Sequence, residues 1–292
     1  MPELPEVESV ARGLRVHLVG RTISGVETGS LMAIETTNGG GAQDLKGAIV
    51  RSVRRKGKTL FLELHRDRTG QESEFLLWNL GMTGQLVLTA SDEPVAAHTH
   101  VRLRLDDGRE ELRYRDVRRF GRIRWCGSQE SKRVLSRLGP DAARVKSKTF
   151  VKLLEGRRGA VKSLLLNQQI LAGLGNIYAD ESLFDAGIHP LTPAGRIPPS
   201  KALALHRGVH LVLRRAIRSG GTSFRDFVDA EGNPGWFQVR LRVYGRAGQE
   251  CRRCGTLIEK IIVGGRGSHF CARCQPSPLN LDSRRTVGRT HE

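Results

Sequence analysis

Two cysteine pairs near the end of the chain constrain its folding more than any other feature. Cys251-Arg252-Arg253-Cys254 and Cys271-Ala272-Arg273-Cys274 are C-x2-C knuckles with residues 255–270 between them. Each knuckle sets two thiolates side by side, and four thiolates complete a tetrahedron around one Zn2+. Such a set leaves no open coordination position, so the ion it calls for is structural rather than catalytic. A pair of redox dithiols is the competing reading of the same spacing. A disulfide framework would scatter its cysteines along the chain instead. Residues 256–269 read as a β-hairpin turning at Gly264-Gly265, with Ile261, Ile262 and Val263 packed inward. His269 reads as a face residue, not a ligand. The fifth cysteine, Cys126, ends an apolar run and reads as a small buried hydrophobe.

The finger accounts for a tenth of the chain. At 292 residues there is room for about two domains and a sizeable core. The formal net charge is +18, and arginine outnumbers lysine. A charge of that size points to a polyanion, nucleic acid first, and guanidinium groups suit phosphate forks and base stacking. No stretch of eighteen apolar residues is present, so no membrane-spanning helix and no membrane partner is expected. The acidic, proline-bearing start is unlike a signal or transit peptide, so the expected location is cytoplasmic.

A helix is expected over 6–20, where Val7, Val10, Ala11, Leu14 and Leu18 recur at helical spacing before Gly20. Short alternating runs follow at 22–26, 49–53, 59–64, 75–80, 85–88, 101–105, 111–114 and 122–126. Turn signals at 39–41, 67–70 and 106–108 separate them. Many short strands at this spacing make an antiparallel sandwich or barrel. Residues 36–42 read as a loop. From 131 the period turns helical: 132–138, 148–154, 161–170, 177–186 and 200–219. Leu171-Ala172-Gly173-Leu174-Gly175-Asn176 is a tight glycine turn opening a helix, an arrangement that offers backbone N–H groups to a phosphate. The tail from Gln275 is polar and reads as disordered.

The first residues, Met1-Pro2-Glu3-Leu4-Pro5-Glu6, admit two readings. One is a stiff leader into a helix, with Pro5 and Glu6 in its first turn. The other is chemical. Removal of Met1 would free a secondary amine with a pKa near ~8. Part of it is unprotonated near neutrality, and condensation with an aldehyde-level carbon gives an iminium, a strong electron sink.

These pieces, taken in order, resemble the bacterial formamidopyrimidine-DNA glycosylase family. The similarity runs from residue 1 to about 275. It includes the opening Met1 to Glu8, Arg55-Lys56-Gly57-Lys58, Leu80-Gly81-Met82-Thr83-Gly84, Arg118-Arg119-Phe120-Gly121, Gly173 to Tyr178, Glu181 to Phe184, Ala186 to Pro190, Val243-Tyr244-Gly245-Arg246 and the knuckles. The resemblance implies an α+β chain. An N-terminal helix and antiparallel β-sandwich (1–130) would precede a helix-two-turns-helix domain (131–240), a four-cysteine zinc finger (241–275) and a disordered tail (276–292).

It also implies roles. Pro2 would be the nucleophile at C1′ of the damaged nucleoside, and Glu3 the acid assisting sugar-ring opening. Lys58 would donate a proton in β-elimination, and Arg266 would grip flanking phosphates and serve δ-elimination. Met82, Arg118 and Phe120 would fill the gap left by an extruded base. For Met82 and Phe120 the bland alternative is core packing; for Lys58 it is a surface strand position. His98, Arg157 and Asn176 would contact DNA, Glu6 would face the lesion pocket, and residues 222–236 would form a loop over the flipped purine. Cys251, Cys254, Cys271 and Cys274 would hold the zinc. Val117, Thr83 and Asp180 depart from the proline, serine and serine frequent at these places in the family.

The implied activity is base-excision repair: removal of 8-oxoguanine and formamidopyrimidines from double-stranded DNA, with apurinic-site lyase chemistry, by a bacterial monomer associated with the nucleoid. Two other functions fit parts of the chain. One is the sister specificity for oxidised pyrimidines, and the other a non-catalytic zinc-bearing DNA-binding protein.

Overall fold

The structure, a computed structural model, describes residues 2–29, 34–37, 40–66, 73–224 and 226–277. The expected turn at 67–70, the removal of Met1 and residues 278–292 of the expected tail lie outside that set. The chain divides into two compact units: Met1–Leu138 with Ala216–Gln238, and Gly139–Arg215 with Val239–Glu292.

The first unit opens with α1 (Leu4–Leu18). It starts earlier than its apolar stripe, because Pro5 is tolerated in a first turn whose N–H groups lack helical partners anyway. Val7, Val10, Ala11, Leu14 and Leu18 are all at most 1% exposed. A buried leucine truncated to alanine in such a stripe costs about 2–5 kcal/mol.

Nine strands follow: β1 (Ile23–Thr28), β2 (Glu35–Thr36), β3 (Ile49–Lys56), β4 (Thr59–His65), β5 (Glu74–Asn79), β6 (Gln85–Ala90), β7 (Thr99–Leu105), β8 (Glu110–Arg115) and β9 (Arg122–Gly127). They form two sheets, ordered β1-β7-β8-β6 and β2-β9-β5-β4-β3. Their inner faces close one core with α1. Leu60, Leu62 and Leu64 from the larger sheet meet Val101, Leu103 and Leu105 from the smaller, and the Trp78 and Tyr114 rings pack edge to face at 5.5 Å. All pairings are antiparallel except β2 with β9, which is parallel. That two-residue strand, too short to show a period, reaches into the stretch read as loop only at Thr36. Helix α2 (Ser128–Ser136) packs on β5 and β9, and Lys56 Nζ donates to Leu135 O (2.7 Å) in its last turn and to Leu138 O (3.2 Å) just beyond its end.

The expected helical domain runs unbroken from 131 to 240. The compact units instead give Ala216–Gln238 to the first unit. The reason is visible in the core: Phe227 and Ala230 join the sandwich cluster, and Leu88 N–H donates to Ala230 O at 2.9 Å.

The second unit holds α3 (Ser147–Leu154), α4 (Val161–Leu166), α5 (Asn176–Ala186) and α6 (Pro199–Arg218) up to Arg215, then the hairpin β10 (Ile258–Val263) and β11 (Arg266–Cys271). Helix α4 stops at Leu166, short of the expected 170. The next residue but one is spent on the glycine turn: Gln168 Oε1 accepts Gly173 N–H at 2.8 Å, and Nε2 donates to Leu166 O and Leu174 O. In the hairpin Val263 is buried but Ile262 is 68% exposed, against the expectation that both point inward. Alternation along a strand sends neighbours to opposite faces.

Candidate active site

The start of the chain is buried. Pro2 is buried, Glu3 is 2% exposed and Glu6 1% exposed. Glu3 is the residue before α1, and its N–H donates to Glu6 Oε2 at 2.8 Å. The other oxygen, Oε1, accepts the Thr222 N–H at 2.7 Å. One carboxylate thus ties the chain start to a segment more than two hundred positions away. A Cβ on Gly221 would lie 2.8 Å from that Oε1, and Gly221 has φ +88°, so glycine is required there on both counts.

Residues 222–236, the expected pocket loop, are stitched at both ends. Thr222 bridges to Trp236, Phe237 N–H donates to Gly221 O (2.9 Å), and Ser223 Oγ donates to Phe227 O (2.7 Å) while accepting Gly235 N–H (2.8 Å). Phe224 and Trp236 remain more than half exposed.

Lys58 lies in a turn rather than on a strand. Lys56 pairs with Thr59, so Gly57 and Lys58 make a two-residue hairpin loop, with Gly57 at φ +58°. Arg55 fixes that loop to the first helix: its Nε donates to Glu8 Oε2 at 2.9 Å and its NH1 to Gly57 O at 3.1 Å. Burial pushes the Glu8 carboxyl up, but the hydrogen bonds and charges of Arg55 and Arg12 outweigh it and hold it below its ordinary value.

Met82 and the pair Arg118 and Phe120 sit on two neighbouring connections. Each crosses between the sheets, β5 to β6 and β8 to β9, and the flanking strands pair at Asn79↔Arg122 and Gln85↔Arg115. Core packing is ruled out for Phe120, which is 53% exposed with the Arg118 guanidinium 4.6 Å from its ring centroid. Phe120 also walls an open groove of about 510 Å3 lined by Asn79, Arg122 and Arg124. His98 is exposed and held at φ +67°, and Arg119 at φ +55°. Non-glycine residues in this region are strained and cluster at functional surfaces.

In the second unit, Asn176 opens α5 behind the glycine turn, where the first-turn N–H groups have no helical partners. Its Nδ2 donates to Gly267 O at 2.9 Å, while its buried Oδ1 has no partner among the described residues. This joins Asn176 to the strand that begins with the exposed Arg266, placed by the Gly264-Gly265 turn (φ +56° and +72°). Arg157 sits apart from that pair, on the α3–α4 connection, with its Nε donating to Leu153 O.

The four knuckle cysteines bring their sulfurs within 4.8 Å of one another. The Sγ atoms lie 3.4 Å apart in Cys254 and Cys271, 3.5 Å in Cys254 and Cys274 and 3.9 Å in Cys251 and Cys274. A tetrahedron with Zn–S bonds of about 2.3 Å has edges of about 3.8 Å, so the donor set fits one Zn2+. His269 is no ligand: its ring Nδ1 and backbone N–H both face Asp180 Oδ2, at 3.3 and 2.8 Å.

Several supporting residues were not singled out as site residues in the sequence. Lys162, fully buried, places Nζ 2.6 Å from Asp180 Oδ1 and donates to Gly267 O at 3.0 Å. Glu181 accepts the N–H groups of Arg242, Val243 and Tyr244 at 2.8–3.0 Å. Gln275, assigned to the polar tail, is fully buried: Oε1 accepts Cys271 N–H and Nε2 donates to Ile188 O. Three consecutive buried polar residues in α5, Asp180, Glu181 and Ser182, were the available signal, since buried charge demands a partner. Cys126 is buried as expected, and burial pushes its thiol up to about 11.

A β-sandwich whose buried amino end is hydrogen-bonded to Thr222, together with a glycine-turn helix unit and a four-cysteine finger, defines the class of zinc-finger DNA glycosylases. Comparison with known proteins makes this specific. Residues 1–123 match the formamidopyrimidine-DNA glycosylase N-terminal domain, 138–228 the formamidopyrimidine-DNA glycosylase H2TH domain, and 248–276 the zinc finger found in FPG and IleRS. The chain belongs to the formamidopyrimidine-DNA glycosylase family. It is 39% identical over 279 residues to that enzyme from Shewanella loihica and 42% over 281 residues to that from Halalkalibacterium halodurans. Each alignment covers 94% of this chain and all of the relative. Among solved structures, a Lactococcus lactis Fpg in complex with abasic-site DNA superposes with a TM-score of 0.84 at 34% identity, covering 94% of this chain and 100% of that one.

Proposed function

We propose that this chain is a base-excision repair enzyme, a DNA glycosylase and apurinic-site lyase that removes oxidised purines from duplex DNA. The observation that carries the mechanism is the buried start, with Pro2 next to Glu3 and the Glu3 N–H tied to Thr222 through the Glu6 carboxylate. With Met1 removed, the Pro2 nitrogen lone pair attacks C1′ of the damaged nucleoside and the base departs with the glycosidic electron pair. The proton shed by the Pro2 nitrogen neutralises the departing base, and Glu3 protonates the ring oxygen as the C1′–O4′ bond breaks, leaving an iminium between Pro2 and C1′. The iminium acidifies C2′; loss of that proton expels the 3′ phosphate, and a second elimination expels the 5′ phosphate. Lys58 is the donor for the first of these steps and Arg266 for the second.

Met82, Arg118 and Phe120 enter the stack where the base has left, which offsets an unstacking cost of a few kcal/mol. His98, Arg157 and Asn176 contact the backbone, and Glu6 lies at the lesion. The zinc bound by Cys251, Cys254, Cys271 and Cys274 cross-links the finger and takes no part in bond making. The functional segments are 1–130, 131–240, 241–275 and 276–292, with Ala216–Gln238 packed on the first. The enzyme acts as a cytoplasmic, nucleoid-associated monomer.

Borohydride reduction of the enzyme with an 8-oxoguanine duplex tests this. A covalent adduct that requires Pro2 and maps to it by N-terminal sequencing is the expected result. Full activity with Met1 retained, or an adduct surviving in Pro2→Gly, overturns it. Oxidised pyrimidines are a second substrate class to compare, because a Lactococcus lactis Fpg has been solved with DNA carrying one. Side-by-side excision from thymine-glycol and 8-oxoguanine duplexes ranks the two.

A further inference from the structure

We propose that Thr83 and Asp116 form a clamp that holds the two base-replacing loops as one wedge. They are positioning residues and touch no reacting atom. The inference rests on the reading that Met82, Arg118 and Phe120 enter DNA.

Met82 and Phe120 come from different connections, so something must keep them in register while DNA is forced open between them. The two loops already touch through backbone. A Cβ on Gly81 (φ +65°) would sit 2.6 Å from Phe120 C, and one on Gly121 would collide with the Tyr114 hydroxyl. The contact is close but carries no hydrogen bond across it by itself. Asp116, fully buried at the root of the second loop, provides those bonds. Its Oδ1 accepts Thr83 Oγ1 (2.5 Å) from the first loop and Arg118 N–H (3.3 Å) from the second. Its Oδ2 accepts Gly121 N–H (2.8 Å) and the Tyr114 hydroxyl (3.2 Å). A carboxylate has about four acceptor sites, and all four are used. Burial and the Asp116 charge together push the Tyr114 hydroxyl far up, so it stays a donor.

Thr83 is the link between the loops. Its hydroxyl donates to Asp116 Oδ1 and accepts Arg118 N–H at 3.1 Å. The residue after Met82 therefore holds the backbone of Arg118. Asp116 reaches further through its main chain: its N–H donates to His98 O (3.0 Å), and its carbonyl accepts His100 Nε2 (2.9 Å) and Arg119 N–H (3.3 Å). Two strained residues, His98 and Arg119, are thus fixed by the same residue, as strained conformations require. At position 117 this chain has valine, exposed and free of the φ restriction a proline would bring, so the hydroxyl-to-amide bond is what stiffens the entry to Arg118.

The test compares two substrates. Excision of 8-oxoguanine from duplex needs a base held out of the stack; cleavage of an abasic site in a single-stranded oligonucleotide does not. In Thr83→Val the ratio of the first single-turnover rate to the second should fall about ten-fold, and Thr83→Ser, which keeps the hydroxyl, should restore it. Amide hydrogen exchange at Arg118 should quicken in the valine variant only. An unchanged ratio in Thr83→Val, or an equal loss in Thr83→Ser, overturns the clamp. Phe120→Ala measured alongside separates the two readings. If it loses the ratio and Thr83→Val does not, the clamp alone fails. If Phe120→Ala keeps the ratio, the wedge reading fails and the clamp goes with it. Asp116→Asn, which turns one acceptor into a donor facing Gly121 N–H or Tyr114, should lower the ratio at least as far.

Discussion

Glu6 and Thr222 are joined by a 2.7 Å hydrogen bond from a backbone N–H to a buried carboxylate oxygen. The same carboxylate takes the Glu3 N–H on its other oxygen, so it has a donor on each side. Glu6→Gln offers one acceptor and turns the other position into an NH2 group that meets an N–H. A buried polar group left unsatisfied costs about 1–3 kcal/mol. The expected result is a fall in unfolding free energy of that size, read as a lower urea midpoint at an unchanged m-value. On the proposed function, adduct formation on an 8-oxoguanine duplex should fall more than lyase activity on an abasic duplex, because residues 222–236 are released while Pro2 remains. Equal losses on both substrates would argue against the link.

Glu8 makes the stability of the first unit depend on acid. Its folded-state pKa lies below the ordinary value of 4.5 because Arg55 and Arg12 favour the charged form despite burial. For a carboxyl depressed on folding, the stabilisation is fully present above the unfolded pKa and is lost as pH falls through the folded pKa. The wild type should therefore lose stability below about pH 4.5. Glu8→Gln should be less stable at neutral pH and show a flatter acid limb, measured by thermal melts between pH 3 and 7. Identical limbs would show that Glu8 is not a source of the acid dependence. Because Arg55 also holds Gly57 O, the same substitution should raise hydrogen exchange in the Gly57-Lys58 turn.

Most of this architecture is legible in the residues themselves, and much of what is not has a common cause. The eight longer strands and six helices carry their period in the residues themselves: Leu60, Leu62 and Leu64 alternate, and Val7, Val10, Leu14 and Leu18 repeat at helical spacing. The knuckle spacing declared the zinc site without help from geometry. Failures occurred where a residue's role depends on a distant partner. Phe227 and Ala230 look like loop residues until the sandwich they plug is present. Lys162, Asp116 and Gln275 look like surface polar groups, and only their partners make burial tolerable. The proposed chemistry of Pro2 came from family likeness, because a proline near a chain start has a simpler helix-leader reading.

Lys162 and Asp180 are a fully buried ion pair that seats the finger hairpin on α4 and α5, through Gly267 O and the His269 N–H. Removing one partner strands the other charge out of water, at about 3–5 kcal/mol, whereas replacing both can be nearly neutral. Asp180→Asn and Lys162→Met should each destabilise strongly. The double replacement should recover much of the loss, a coupling read from a double-mutant cycle in urea. Additive losses would mean the pair is not coupled. The aspartate at 180 is tolerated without water because the lysine beneath it supplies the opposite charge.

Zinc removal separates binding from bond making. The metal organises the knuckles and the turn presenting Arg266, while Pro2 and Glu3 lie in the other unit. Cys271 is fully buried and its N–H is fixed by Gln275, so Cys271→Ser removes a ligand from the packed side of the site. The variant, or the wild type after chelation, should bind abasic-site duplex at least ten-fold more weakly, a loss of about 1.4 kcal/mol or more. At saturating enzyme the single-turnover rate of adduct formation should change far less. Duplex binding by the wild type should also weaken steeply with salt as arginine and lysine contacts release counterions, and the slope should flatten when the finger is lost. An unchanged dissociation constant in Cys271→Ser, or a slope that stays the same, would remove the finger from the DNA-binding surface.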